Sequence, residues 1–280
     1  MKKTVPLLLP FAAATLLGAC ASRPVESPTR LYVFDCGNIE SRDVSLFSPG
    51  VDEGQKKQLT DSCYLIKHAK GTLFWDTGLS DSLTAEGIEV WDGAFHLSVD
   101  HPLKAQLDEI GVDPATIDYL GISHFHSDHT GNANYFTQSQ LIIQKEEKEA
   151  AFGPDAEKFG FVPDSYAKLD PKKMRVIEGD FDVFGDGSVV IKRAVGHTPG
   201  HQVLWVNLKQ SGPLLLSGDL YHFTKNRTFK RVPAFNFDKE QTLTAMDQIE
   251  AFIKESGSTL WIQHDKEQNA TIRHSPAFYE

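Results

Sequence analysis

The chain has 280 residues, of which 40% are hydrophobic and 24% are charged, and its formal net charge at pH 7 is −10. This length and composition are those of an ordinary globular protein that can bury a substantial core. The acidic excess, with no basic patch to offset it, argues against a nucleic-acid-binding protein.

The first segment, residues 1–19, is predicted to be a signal peptide. Lys2 and Lys3 precede an apolar run over residues 5–17, which is too short to span a bilayer comfortably. The run ends in Leu-Gly-Ala-Cys20, which resembles the bacterial lipobox, where the cysteine is acylated and becomes the mature N-terminus. An ordinary secretory signal with an incidental cysteine is the alternative.

The lipobox interpretation makes residues 20–29 a tether and residues 30–280 a single folded domain. The mature chain would carry 26 basic against 38 acidic residues, a formal charge of about −12. We expect an exported bacterial lipoprotein of the periplasm or outer membrane, which contacts the membrane only through a lipid anchor at Cys20. In that oxidising compartment Cys36 and Cys63 either form a disulfide between neighbouring strands or remain two buried thiols.

Short β-rich runs alternate with helical runs along the domain. The predicted strands cover residues 31–34, 62–68, 72–75, 117–122, 141–144, 181–184, 189–195, 202–208, 214–216 and 259–262. Helices are predicted at residues 102–110 and from Asp238 to Gly257, and the charged run 145–150 is predicted to be a solvated helix face. Two β-rich halves with helices late in each indicate two sheets packed together with helices outside.

Residues 123–132, Ser-His-Phe-His-Ser-Asp-His-Thr-Gly-Asn, contain an unusual density of metal-ligand side chains. His124 and His126 follow a predicted strand, so in an extended conformation they share a face and can reach one metal ion. Asp128 and His129 follow where the chain must turn. The spacing excludes a helical zinc site of the H-E-x-x-H kind, which needs histidines four residues apart.

Three further donors also follow apolar strands: His197 in Gly-His-Thr-Pro-Gly-His, Asp219 in Leu-Ser-Gly-Asp, and His264 in Trp-Ile-Gln-His. Strand ends deliver side chains to a common sheet edge, where the open sites of layered α/β folds lie. Seven donors are enough for two metal ions. His201 is expected to orient the Pro199–Gly200 turn rather than bind metal.

Taken together, H-x-H-x-D-H, G-H-T-P-G-H and the strands ending in Asp219 and His264 resemble the metallo-β-lactamase superfamily over nearly the whole mature chain. The resemblance implies an α/β fold, a four-layer αββα sandwich. Asp219, the pair His264-Asp265 and the run 224–226 are similar to the N-acyl-homoserine lactonase branch. That branch implies a quorum-quenching hydrolase that opens the lactone ring of N-acyl-homoserine lactones.

Carried over by residue, the resemblance implies one metal held by His124, His126 and His197, a second held by Asp128, His129 and His264, and a bridge formed by Asp219. Asp128 is also assigned to the catalytic residues. Zinc is the default for such donors, although iron, cobalt or manganese fit similar sets. Asp76 and Asp265 are candidates to hold the outer ring nitrogens.

One position departs from the branch, whose members often carry a tyrosine three residues after the bridging aspartate. His222 stands there in this chain, and Tyr221 lies one residue earlier. We expect His222, or else Tyr221, to donate a hydrogen bond to the tetrahedral intermediate, although both residues could merely line the pocket.

The predicted partner is a small lactone with an acyl chain. Five aromatic residues in loop-like stretches are expected either to form an apolar wall for that chain or to pack in the core: Trp91, Phe95, Phe152, Phe159 and Phe161. The sequence leaves the oligomeric state open, a dimer being one option. Two other functions remain open: a periplasmic metallo-β-lactamase that hydrolyses β-lactams, and a catalytically silent metal-binding scaffold.

Overall fold

The computed structural model describes residues 1–2 and 28–280, so most of the predicted signal peptide and tether, with Cys20, lies outside the described residues. None of the helices within residues 28–280 has the length and hydrophobicity that a membrane span needs.

Two β-sheets form the centre of the domain. The first has the order β4-β5-β1-β2-β3-β6-β7-β8, and its strands are β1 Arg30–Ser41, β2 Lys57–His68, β3 Gly71–Trp75, β4 Ile88–Val90, β5 Phe95–Ser98, β6 Tyr119–Gly121, β7 Gln140–Gln144 and β8 Arg175–Ile177. The second has the order β13-β12-β11-β10-β9, and its strands are β9 Phe181–Asp182, β10 Val189–Arg193, β11 Gln202–Leu208, β12 Gly212–Leu216 and β13 Thr259–Trp261.

Within residues 28–280, six α-helices accompany the sheets: α1 Leu103–Glu109, α2 Ser127–Thr130, α3 Lys145–Ala151, α4 Thr224–Phe229, α5 Lys239–Ser256 and α6 Lys266–Asn269. The longest helix, α5, begins where the Asp238 side chain accepts the Gln241 backbone N–H. It ends at Gly257, whose positive φ is typical of a helix C-terminus.

Both faces of each sheet are covered, and the alternation of side chains along a strand shows how. Val33 of β1 packs between the sheets, in a core that also holds Leu204 of β11, whereas the next residue, Phe34, packs outward in the cluster that contains Leu107 of α1. On the second sheet, Val203 faces α5, in a cluster with Met246. The layers are therefore helix, sheet, sheet and helix, which confirms the predicted αββα sandwich.

Three features of the fold differ from the expectation or complete it. Strands β1 and β2 extend to twelve residues each and pair along almost their whole length. Strands β4 and β5 form a hairpin that the sequence analysis did not predict. Of the two alternatives for the cysteines, the structure has the disulfide, which joins Cys36 of β1 to Cys63 of β2.

Candidate metal centre

Four side chains from three loops converge at one end of the sheets. His124 and His126 follow β6, His197 follows β10, and Asp219 follows β12. His124 Nε2 lies 2.8 Å from His126 Nδ1, and His197 Nε2 lies 3.2 Å from both atoms. Asp219 Oδ2 lies 3.3 Å from His197 Nε2 and 3.7 Å from His124 Nε2. We call these four residues the first donor group.

Three further side chains lie beside them. The short helix α2 begins directly after His126 and turns Asp128 and His129 toward His264, which follows β13. Asp128 Oδ2 lies 3.9 Å from His129 Nε2 and 3.8 Å from His264 Nε2. We call these residues the second donor group, and within each of the two groups the donor atoms all lie within 4.8 Å of one another.

Asp219, a member of the first group, also faces the second group. Its Oδ2 faces the first group, whereas its Oδ1 lies 2.9 Å from His264 Nε2 and 3.4 Å from His129 Nε2 of the second. His201 fixes the backbone at Asp219. The Asp219 N–H donates to His201 Nε2 at 3.0 Å, and His201 Nδ1 in turn donates to the Ala194 carbonyl at 2.9 Å. His201 therefore supports Asp219, a role that its sequence position did not indicate.

For three of the rings, a hydrogen bond on the outer side sets which nitrogen carries the proton. His126 Nε2 donates to the Phe159 carbonyl at 3.0 Å, and His264 Nδ1 donates to the Thr60 carbonyl at 2.8 Å. His129 Nδ1 lies 3.1 Å from Asp76 Oδ2. In neutral imidazoles the other nitrogen of each ring then has a lone pair, and these lone pairs point into the cluster.

Such an arrangement of lone pairs fits a bound cation. Several buried atoms among the described residues have no hydrogen-bond partner, and three of them meet inside this cluster: His129 Nε2, His264 Nε2 and Asp219 Oδ1. Two lone-pair atoms facing each other at 2.9 Å repel unless a cation or a proton lies between them. The residues present therefore fit a pair of divalent ions with nitrogen and carboxylate ligands.

The charge distribution differs between the two groups. Burial lowers the pKa of His126 to about 3 and the pKa of His124 well below its usual value, so these rings are neutral, the state that ligates metal. Burial also lowers the pKa of His264, but the neighbouring Asp219 carboxylate outweighs it and raises that pKa to about 9. The carboxylates around the second group therefore favour positive charge there, whether a proton on a ring or a bound metal ion.

Of the two candidates for outer hydrogen bonds to the rings, only Asp76 contacts one. It is fully buried, accepts the Ser123 backbone N–H at 2.6 Å and holds His129 from behind. Asp265 instead accepts the backbone N–H groups of Thr224 and Gln268, at 2.7 and 3.0 Å, and so orders the loop before α4 and the start of α6. Of the two candidates, the structure therefore favours Asp76.

His222 and Tyr221 point in different directions. His222 is buried, its Nε2 lies 3.1 Å from Asp219 Oδ2, and it lines the cavity above the donors. The Tyr221 hydroxyl donates to Glu250 of α5 at 2.9 Å, on the far side of the backbone. The expectation that Tyr221 serves the site is therefore corrected, because its hydroxyl is already bound elsewhere.

A cavity of about 110 Å³ lies directly over the donors. Its floor contains Asp128, Asp219, His222 and His264. Its walls are largely apolar and come from β1, β2, the loop between these strands, the β4–β5 hairpin and the loop before α5. The apolar residues are Ile39, Phe47, Leu59, Val90, Trp91, Phe95, Leu97 and Phe235. A second cavity of about 390 Å³ adjoins it, and Trp91 and Phe235 line both.

The five aromatic residues expected at an apolar wall divide into two sets. Trp91 and Phe95 line the first cavity, and Phe159 lines the second. Phe161 is buried in the core beneath the first sheet, and Phe152 packs against that core. For Phe152 and Phe161 the structure thus favours the alternative of ordinary packing.

Sequence reasoning missed the role of Glu147. It stands in the charged run 145–150, which was expected to be solvated, yet its side chain is fully buried in contact with loops of the site. The expectation was wrong because α3 is too short for a hydrophobic periodicity that would reveal an inward face.

Comparisons with known proteins agree with this geometry. The family model of the metallo-beta-lactamase superfamily matches residues 58–253. The N-acyl homoserine lactonase AttM of Azorhizobium caulinodans is 26% identical over 90% of this chain and 98% of its own length. The N-acyl homoserine lactonase AiiA of Bacillus thuringiensis is 28% identical over 89% and 98%.

A solved structure of a lactone hydrolase has the same fold. An N-acyl homoserine lactone hydrolase with the product N-hexanoyl-L-homoserine bound at its catalytic metal centre superposes with a TM-score of 0.79 and 27% identity. The match covers 90% of this chain and 99% of that one.

Proposed function

Because the chain belongs to the metallo-β-lactamase superfamily, we propose that this hydrolase opens the lactone ring of N-acyl-homoserine lactones and so destroys quorum-sensing signals. The observation that carries the proposal is Asp219, whose two oxygens face two separate donor groups beneath an apolar cavity. The relatives named above, which are N-acyl homoserine lactonases, support the same substrate class.

The proposed ligands are His124, His126 and His197 for one ion and Asp128, His129 and His264 for the other, with Asp219 shared. Zinc is the proposed metal, since it prefers such nitrogen and carboxylate ligands, and iron, cobalt or manganese are the alternatives that metal analysis would identify. Bound there, two divalent ions would polarise the ester carbonyl and supply hydroxide at neutral pH.

The chain's own side chains supply the remaining functions. The apolar cavity would take the acyl chain and exclude water from it. Ser127 and His222 line the cavity and belong to neither donor group. Because His222 Nε2 lies 3.1 Å from Asp219 Oδ2, we assign to His222 the hydrogen bond that stabilises the tetrahedral intermediate.

Turnover by metal-stripped and metal-reconstituted protein tests the proposal. N-hexanoyl-homoserine lactone should be hydrolysed to the open acid only by the reconstituted protein, while an Asp219→Ala variant should stay inactive after the same treatment. Stoichiometric metal binding without any lactone opening would favour the silent scaffold and refute the proposal.

A metallo-β-lactamase remains the second candidate, because an exported hydrolase of this superfamily would suit that activity. The relatives argue against it, because the matched proteins AttM and AiiA are N-acyl homoserine lactonases that align over 98% of their own length.

We also propose that the protein is a lipoprotein anchored through Cys20, with its site in the periplasm or at the outer membrane. The lipobox-like sequence before Cys20 and the disulfide between Cys36 and Cys63 support export. In cells fed a labelled fatty acid, the wild type should carry the label in the membrane fraction, whereas Cys20→Ser should not. An unlabelled wild type would refute the anchor.

A further inference from the structure

Building on the proposed metal-dependent hydrolase, we propose that Glu147 is a positioning residue for the first donor group. Its buried carboxylate ties together the two loops that carry His124, His126 and His197, and it thereby holds their nitrogens at the spacing that one metal ion requires.

Each oxygen of Glu147 serves one loop. Oε1 accepts the Phe125 backbone N–H at 2.9 Å, and Phe125 stands between His124 and His126. Oε2 accepts the Thr198 hydroxyl and the Gly200 backbone N–H, both at 2.8 Å, directly after His197. The carboxylate thus bridges the two loops, beside the backbone bond in which the Gln202 N–H donates to the Ser123 carbonyl at 2.9 Å.

Close packing at Gly200 strengthens the link. A Cβ at Gly200 would lie 2.4 Å from the Glu147 backbone nitrogen, so the loop after His197 rests directly on the first turn of α3. The adjacent Glu146 differs: its side chain is 38% exposed and pairs with Arg193 at the surface. Of these two neighbouring carboxylates on α3, Glu146 thus lies at the surface and Glu147 lies in the interior.

A contribution to the stability of the fold is a poorer explanation for a buried glutamate at position 147. Across the part of the chain that the structure describes, no Lys or Arg pairs with this carboxylate, and burial raises its pKa to about 7 against the three hydrogen bonds that lower it. A buried charge without a counter-ion is a costly way to stabilise a fold. Its three directed hydrogen bonds are instead suited to fixing geometry.

The second donor group does not depend on Glu147. Asp76 holds His129 from behind, and the Thr60 carbonyl holds His264. The loss of Glu147 should therefore weaken one metal site and spare the other, an asymmetry that a general loss of stability would not produce.

Glu147→Gln tests the proposal, because glutamine has the same shape but only one acceptor oxygen, so one loop loses its acceptor. The measurement is chelator competition with zinc, made in a His264→Ala background that keeps the first group and in a His197→Ala background that keeps the second. We expect the affinity to fall about 10- to 100-fold in the first background and to stay unchanged in the second. The matched control Glu146→Gln should change neither.

Equal affinity of Glu147→Gln and its parent in both backgrounds would overturn the proposal, as would an equal loss in both. If Glu147→Gln does not fold, Thr198→Val removes one donor and keeps the carboxylate; it should weaken zinc binding in the first background only, and an unchanged affinity would overturn the proposal. These readouts need no lactone turnover, so failure of the proposed activity would remain distinguishable from failure of this inference.

Discussion

Tyr221 and His222 are neighbours in the sequence, yet their side chains contact different layers of the molecule. The Tyr221 hydroxyl and the Arg227 guanidinium both bind Glu250 of α5, which fastens the loop after β12 to the outer helix. His222 turns inward and packs against Phe47 and Phe235, with its Nε2 beside Asp219. Only His222 is placed to reach a substrate in the cavity.

A pair of substitutions tests that difference. His222→Phe keeps a ring of similar size and removes the donor, so kcat should fall about 10²- to 10³-fold with the metal content unchanged. Tyr221→Phe should leave kcat near the wild-type value and cost about 1 kcal/mol of unfolding free energy, since it loses one hydrogen bond. Steady-state kinetics with metal analysis measures both effects, and wild-type turnover in His222→Phe would remove that residue from the mechanism.

The β4–β5 hairpin is the element that closes the cavity. Trp91 begins its turn and is 57% exposed, and it packs edge-on against Phe95 and Phe235. Trp91 and Asp92 both have a φ of 51°, and Gly93 completes the turn with a φ of 81°. This backbone, which is unfavourable for a tryptophan, holds the indole at the junction of the two cavities.

Trp91→Ala should therefore affect long acyl chains more than short ones. Each buried methylene contributes about 0.8 kcal/mol, so losing the contact with one or two methylenes should raise KM for a long-chain lactone by about 10-fold and leave a short-chain lactone little changed. Ile88→Ala is the matched control, because Ile88 is an exposed apolar residue of the same hairpin outside both cavity linings. An equal change for both substrates would show that the hairpin does not contact the chain.

The sequence indicated some elements well and others poorly for identifiable reasons. The donors that follow β6, β10, β12 and β13 were foreseen because a buried strand has a clear apolar signature and its end fixes where the next side chain emerges. The second half of β1 was missed, since polar residues such as Asn38 and Glu40 pair through the backbone, which leaves no hydrophobic pattern. The hairpin turn does have a sequence signal, because Asp92-Gly93 is a dipeptide typical of tight turns between strands.

At the scale of the whole molecule, sheet packing brings together donors that lie far apart in sequence. His124 and His264 are separated by 139 intervening residues, yet both lie against Asp219. Local patterns predict each donor separately, but the contacts of Glu147 and His201 arise only when α3 and the loops meet in three dimensions. The side chains of the two donor groups were therefore more predictable than the residues that position them.

Metal binding should consequently stabilise the entire domain. A ligand at 100 times its Kd adds about 2.7 kcal/mol to the unfolding free energy, and a domain of this size gains about 2–4 °C in Tm per kcal/mol. Chelation should therefore lower Tm by roughly 5–10 °C, and added zinc should restore it. The control His96→Ala alters a histidine outside both donor groups and should show the same shift in Tm. A Tm that does not change when metal is removed or added would contradict the two-ion interpretation.

Side-by-side turnover by the zinc-loaded chain beginning at Ala21 tests the central claim most directly. The substrates are N-acyl-homoserine lactones of several chain lengths and a cephalosporin, assayed with the same protein. We predict rapid lactone opening and no β-lactam cleavage. Cephalosporin hydrolysis without lactone opening would contradict the account and make the protein a β-lactamase.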